Sequence, residues 1–182
     1  MFLRSDADVW LTVDDDNYAD AGVLRRLVHA ARATRSLVAA PSWLRVTPPR
    51  LSFLADNPTS RFVGNEMLLT APRLLTGFGL CALHRDLVLA VAKDATTFRD
   101  ENLGDFPALF LEMIRDGLWI GEDFSFCHRV HDTGFPLYLL ANAFTEHAGI
   151  GCEVTMQDGA LCARRVEAPP HDTEPPTRPE AR

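Results

Sequence analysis

The stretch "DVWLTVDDDN", residues 8–17, sets a run of apolar residues directly against three consecutive aspartates. Val9, Trp10, Leu11 and Val13 are mostly β-branched or aromatic, and such a short apolar run fits a buried strand better than a helix. The carboxylates then crowd the strand's C-terminal end. Two carboxylates about 4 Å apart repel by roughly 1 kcal/mol in water and about 4 kcal/mol at an effective dielectric of 20, so the cluster asks for a cation. In an extended chain side chains alternate, which expects Asp14 and Asp16 on one side and Asp15 on the other, a D-x-D pattern suited to one hard divalent ion. The plainer reading is a loop start and helix cap, where Asp and Asn are favoured. An EF-hand does not fit, because Tyr18 and Asp20 break its ligand spacing and no glycine falls sixth in the loop.

Working outward, "ADAGVLRRLVHAARATR" carries Val23, Leu24, Leu27, Val28 and Ala31 at helical spacing, arginines on the other face and Asp20 as a cap. A strand followed at once by a helix is the rhythm of an α/β fold. "SLVAAP" reads as a second buried strand ended by Pro41. Residues 42–60, with Pro48, Pro49 and Pro58, are expected to form a long loop. "RFVGNEMLLTAP" and "GFGLCALHRD" look extended, the latter leading into a short helix "RDLVLAVAKD". "TTFRDENLGDFP" reads as loop. "PALFLEMIRDG" has Pro107 at its start and Gly117 at its end and is expected to be a helix. "GEDFSFCHRVHDTG" is a helix with Glu122 and Asp123 in its first turn, held to the core by Phe124, Cys127 and Val130. "FPLYLLANAF" is a buried strand, and "CEVTMQDGALCARRV" a hairpin about Asp158-Gly159.

The totals bound the function. A chain of 182 residues suits one substantial domain, and its 47% hydrophobic content is that of a globular protein. A net charge of -7 gives no reason to expect nucleic acid as a partner. No apolar run approaches the roughly 20 residues that span a bilayer, and "MFLRSDAD" has no signal-peptide core, so a cytoplasmic location is expected. Cys81, Cys127, Cys152 and Cys162 form no CxxC pair and are expected as reduced thiols, although Cys152 and Cys162 could face each other across the hairpin. The domain is expected to span residues 1–166. Residues 167–182 hold five prolines among sixteen residues and are expected to stay disordered.

Two further groups accompany the aspartates. Glu122 and Asp123 suit an ordinary helix start, where carboxylates interact with the dipole by about 0.3–1 kcal/mol. The same field keeps a carboxylate ionised, as a general base must be. His147, in "NAFTEHAGI", follows a buried strand. Lone histidines are usually packing or surface residues, yet a neutral imidazole would serve as a third ligand to an ion already held by aspartate.

Taken together and in order, "ADVWLTVDDDN", "TGFGLCALHRD" and "GEDFSFCHRVHDTGFPLYLLANAFTEHAG" resemble the second half of a GT-A fold nucleotide-sugar glycosyltransferase of the family 2 type, across roughly residues 6–150. The resemblance implies a partial GT-A, Rossmann-like mixed sheet flanked by helices. It implies that Asp16 coordinates Mn2+ or Mg2+ on the diphosphate of a UDP- or GDP-sugar donor, and that Asp14 contacts the ribose or the metal's water shell. His147 completes the metal shell. Gly77 and Gly79 allow close approach of the donor sugar, Asp123 deprotonates the acceptor hydroxyl of a glycan, lipid or protein, and Glu122 orients acceptor or base. Acceptor choice is expected around Trp43 and residues 98–106.

In that family three strands and their helices precede the D-x-D strand. The resemblance therefore implies an open apolar edge on "VWLTV", covered by a longer chain or a partner chain, or left bare in a decayed copy. Two other classes compete. One is a non-catalytic or truncated GT-A domain acting through a partner. The other is a haloacid-dehalogenase-like phosphatase, which also places D-x-D after a strand but needs a small Thr or Val where Tyr18 stands and a downstream lysine, for which only Lys93 is present.

Overall fold

The apolar run folds into a strand, β1 (Val9–Val13), but the aspartates do not continue it. Asn17 N–H donates to the Asp14 carbonyl at 3.1 Å, closing a turn before the short β2 (Asn17–Tyr18). The alternation expected of an extended chain thus stops at Val13, and the acids' directions are set by a turn. The computed structural model describes residues 2–44, 50–102, 104–147 and 149–166. The proline-rich stretch 167–182 and part of the proline-bearing loop, 45–49, lie outside the described residues.

Helix α1 (Ala21–Thr34) begins where Asp20 accepts the Val23 N–H at 2.9 Å, and it buries Val23, Leu27, Ala30 and Ala31. The wholly buried β3 (Leu37–Ala39) follows. The expected loop after it contains short strands: β4 (Trp43–Leu44) pairs with β5 (Arg50–Leu51), and β6 (Phe53–Leu54) with residues Leu75 and Thr76. β7 (Thr59–Val63) and β8 (Glu66–Thr70) form a hairpin, then β9 (Leu75–Thr76) leads through Gly77-Phe78-Gly79 into β10 (Leu80–His84) and α2 (Arg85–Lys93). Where a loop is expected after it, β11 (Thr97–Asp100) pairs antiparallel with β12 (Gly104–Pro107).

The helix expected over 107–117 is absent. Its place is taken by the hairpin of β13 (Met113–Arg115) and β14 (Leu118–Ile120). Asp116 and Gly117 both adopt positive φ, 54° and 77°, the conformation that a tight two-residue turn demands. Leu109 is buried and Phe110 stacks on Phe126 at 4.7 Å, so core anchoring fixes the start of the segment and turn chemistry its end. Helix α3 (Glu122–Asp132) forms as expected, although Phe126, not Phe124, is its fully buried aromatic. The buried β15 (Leu137–Leu140), β16 (Phe144–His147), and the hairpin of β17 (Ile150–Gln157) and β18 (Ala160–Val166) complete the chain. In that hairpin Cys152 stands opposite Arg165 and Cys162 opposite Thr155, so the two cysteines do not face each other.

The result is a mixed α/β fold. Its six-stranded sheet runs β1-β10-β3-β15-β8-β7, with β3 and β15 parallel and the other described pairings antiparallel. Alternate residues sort into two cores. Leu37, Cys81, Leu83, Leu137 and Leu139 face one way with residues of α2 and α3, while Val38, Leu80, Ala82, Tyr138 and Leu140 face α1. No helix among the described residues is long and apolar enough to cross a membrane. β2, β16, β17 and β18 form a separate sheet that brings the acid turn beside His147.

Candidate functional site

The acids, the glycine stretch, α3 and β16 meet at the end of β1. Asp14 N–H donates to the Gly79 carbonyl at 2.8 Å, and the Thr12 hydroxyl donates to the Phe78 carbonyl at 3.0 Å. Gly77 N–H donates to the Ser52 carbonyl at 2.7 Å. Phe78 is anchored by its ring, edge-on to Phe110 at 5.3 Å and to Phe126 at 5.1 Å. Trp10 extends this cluster through Phe110. Four aromatic residues from distant parts of the chain therefore hold one backbone segment in place, and such contacts add about 0.5–1.5 kcal/mol each beyond their burial.

That segment holds the side chain of Asp123, which stands in the first turn of α3. Its Oδ2 accepts the Phe78 N–H at 3.2 Å, across the gap between α3 and β10. Burial raises the carboxyl's pKa above the usual aspartate value; the Phe78 hydrogen bond opposes this, and the charges of Glu122 and Asp14 add to it. Desolvation thus outweighs the Phe78 hydrogen bond, and the carboxylate becomes a stronger base. Gly77 lies alongside, where an added Cβ would stand 3.6 Å from Asp123 Oδ2. Glu122 is exposed in the same helical turn.

The second half of the site is Asp16 with His147. β16 pairs with β2 so that His147 is directly opposite Asn17, and His147 Nε2 lies 3.1 Å from Asp16 Oδ2. The other ring nitrogen, Nδ1, is 2.7 Å from the Trp43 carbonyl. A carbonyl can only accept, so this bond assigns the proton to Nδ1 and leaves Nε2 of a neutral ring as a lone pair. A lone pair aimed at a carboxylate oxygen is repulsive unless a proton or a metal cation lies between them. The 3.1 Å separation suits either a bridging proton or a divalent cation that the two side chains would share. By donor type the carboxylate suits Mn2+ or Mg2+, while imidazole belongs with transition-metal ions, which favours Mn2+ over Mg2+ here.

Of the three expected metal ligands, the structure joins Asp16 and His147 and leaves Asp14 on the Asp123 side. Among the described residues no three His, Cys, Asp or Glu side chains gather into a group able to hold a metal. Cys81 and Cys127 lie beneath the site, and burial pushes the Cys127 thiol up to about 12 and Cys81 upward as well, so neither supplies a thiolate near neutral pH. Lys93 is exposed in the last turn of α2 and ion-pairs with none of the site carboxylates.

Sequence reasoning passed over two participants. The Phe78 amide became visible only once Asp123 was placed, because a backbone donor leaves no mark in the sequence. The other is Asn17, which follows the acids; its Nδ2 donates to Asp16 Oδ1 at 3.1 Å, and its own Oδ1 is buried without a partner. Leaving such an acceptor unsatisfied costs about 1–3 kcal/mol. No family model matches this chain, and no curated protein matches it either.

Proposed function

We propose that this chain carries the metal-binding and base-bearing part of a GT-A type glycosyltransferase, which moves a sugar from a nucleoside-diphosphate donor to an acceptor hydroxyl with inversion. The observation that carries the reading is the meeting of Asp16 and His147 at 3.1 Å beside a partly buried Asp123. Asp16 and His147 would hold Mn2+ or Mg2+, with Asp14 on the ribose or the ion's water shell. When bound, the ion would offset charge on the departing diphosphate. Asp123 takes the proton of the acceptor hydroxyl, whose oxygen bonds to the anomeric carbon as the bond to the diphosphate breaks. Glu122, exposed beside it, orients the acceptor, and Gly77 leaves room for the donor sugar next to the base.

The test separates binding from chemistry. Asp123→Asn should keep donor binding and lose transfer, while Asp16→Ala should weaken both. Equal donor affinity in Asp16→Ala would sink the metal assignment.

A second observation favours a partner strand. β1 is at the sheet's edge, and the Asp14–Gly79 and Asp8–Arg85 backbone bonds fix a register in which the amides and carbonyls of Val9, Leu11 and Val13 point away from β10. The opposite edge, β7, carries Thr59, Ser60 and Arg61, whereas β1 has neither charge nor proline to discourage pairing. A strand from a partner chain would cover it. Amide hydrogen exchange reads this: rapid exchange at all three positions of the chain alone is expected, and protection there would mean that the edge is already covered.

A further inference from the structure

Each oxygen of the Asp16 carboxylate has one contact. Oδ2 faces His147 Nε2 at 3.1 Å, and Oδ1 receives the Asn17 Nδ2–H at 3.1 Å. His147 is fixed from behind by the Trp43 carbonyl, and Asn17 sits directly opposite His147 in the β2–β16 ladder. Turning the Asn17 amide over would set its oxygen against the Asp16 carboxylate. The side chain keeps its donor on Asp16 and leaves its own acceptor unmatched. Such an arrangement favours the carboxylate's orientation over the amide's own hydrogen bonding.

The space for this amide comes from Gly79. A Cβ at that position would stand 2.6 Å from Asn17 Nδ2 and 3.0 Å from Asn17 Cγ. Gly79 has no positive φ, so the backbone itself does not require glycine there. What would have to move is the amide, and moving it breaks the bond to Asp16.

From this geometry we infer that Asn17 is a positioning residue that clamps the Asp16 carboxylate toward His147, and that Gly79 is glycine to admit that clamp rather than to let a donor sugar approach. The inference rests on the proposed cation site for its consequence, which is cation affinity. Residues that orient a ligand from behind typically change metal affinity by about 10- to 100-fold when removed. The atoms nearest a Cβ at position 79 all belong to Asn17, so the two positions should be non-additive.

Two measurements test it, the first without metal. In 1H–15N spectra of the metal-free protein the Asn17 side-chain amide protons should be protected from exchange, and Asp16→Ala or Gly79→Ala should abolish that protection. Unprotected Asn17 amide protons in the unaltered protein would overturn the clamp. The second is Mn2+ titration followed by electron paramagnetic resonance, without nucleotide. Asn17→Ala and Gly79→Ala should each weaken Mn2+ binding by about 10- to 100-fold, and the double variant should be no weaker than Asn17→Ala alone. Unchanged Mn2+ affinity in a folded Gly79→Ala protein would overturn the role given to Gly79. Additive losses in the double variant would overturn the route through Asn17. If the unaltered protein binds no Mn2+, the cation site itself falls together with the clamp's effect on affinity, while the spectra still decide whether the clamp exists.

Discussion

Two helices of this protein begin with an aspartate nearby, and they use it in opposite ways. At α1 the Asp20 carboxylate accepts the Val23 N–H of its own helix, a local cap that closes an unsatisfied terminus. At α3 the capping position is Gly121, which offers no side-chain bond, and the nearby Asp123 reaches away from its helix to the Phe78 amide. Asp20 is held by what it stabilises. Asp123 is partly buried, its pKa is raised, and it sits next to two other carboxylates that push it further up. The first arrangement is what folding alone would select; the second is costly to the fold and suits a base.

The largest expected effect breaks the comparison on the α3 side. Asp123→Asn should lower transfer by about 10²–10⁴-fold, the usual worth of general base catalysis, while the far-ultraviolet spectrum stays native. A loss of similar size in Asp20→Ala would erase the contrast. On the α1 side, Leu27 is fully buried against the sheet, and Leu27→Ala should cost about 2–5 kcal/mol in denaturant unfolding. Smaller again, Asp20→Ala should cost about 1 kcal/mol of stability with donor binding unchanged, measured by the same unfolding experiment.

The smallest effect carries a sign. Because the folded-state pKa of Asp123 lies above its unfolded value, the group favours folding below the ordinary aspartate range, and that contribution is lost as pH rises through the folded-state pKa. At neutral pH the ionised carboxylate is a net burden. Asp123→Asn should therefore raise Tm slightly at pH 7, and the gain should vanish in acid. The acid limb of the transfer rate should correspondingly lie above the usual aspartate value of 3.8. A Tm that falls at pH 7 would mean that the hydrogen bond to Phe78 outweighs burial.

What could be read from the sequence divides along the same line between local and distant causes. Asp20 and the apolar spacing of α1 are local signals, as are the buried run of β15 and the Asp158-Gly159 turn, and each was legible. The segment 107–117 was not, because proline at its start and glycine at its end punctuate a helix and a core-anchored hairpin alike. Asp116-Gly117 carries the same turn signal as Asp158-Gly159, but with Pro107 ahead of it Gly117 reads equally well as the end of a helix. At the site the carboxylates and His147 could be named, since their residue types announce the chemistry. Their holders could not: the Phe78 amide, the Trp43 carbonyl and the aromatic cluster belong to contacts across the fold, and no pattern along the chain marks them.

The central claim is that the acid turn and His147 hold a cation that in turn holds a diphosphate. The most direct measurement is calorimetric titration of UDP and GDP into the purified protein, with Mn2+ and then with EDTA. Binding of either nucleotide that requires Mn2+, and that is weakened in Asp16→Ala and in His147→Ala, is the expected result. A folded protein that binds neither nucleotide, or binds one equally well in EDTA, would contradict it.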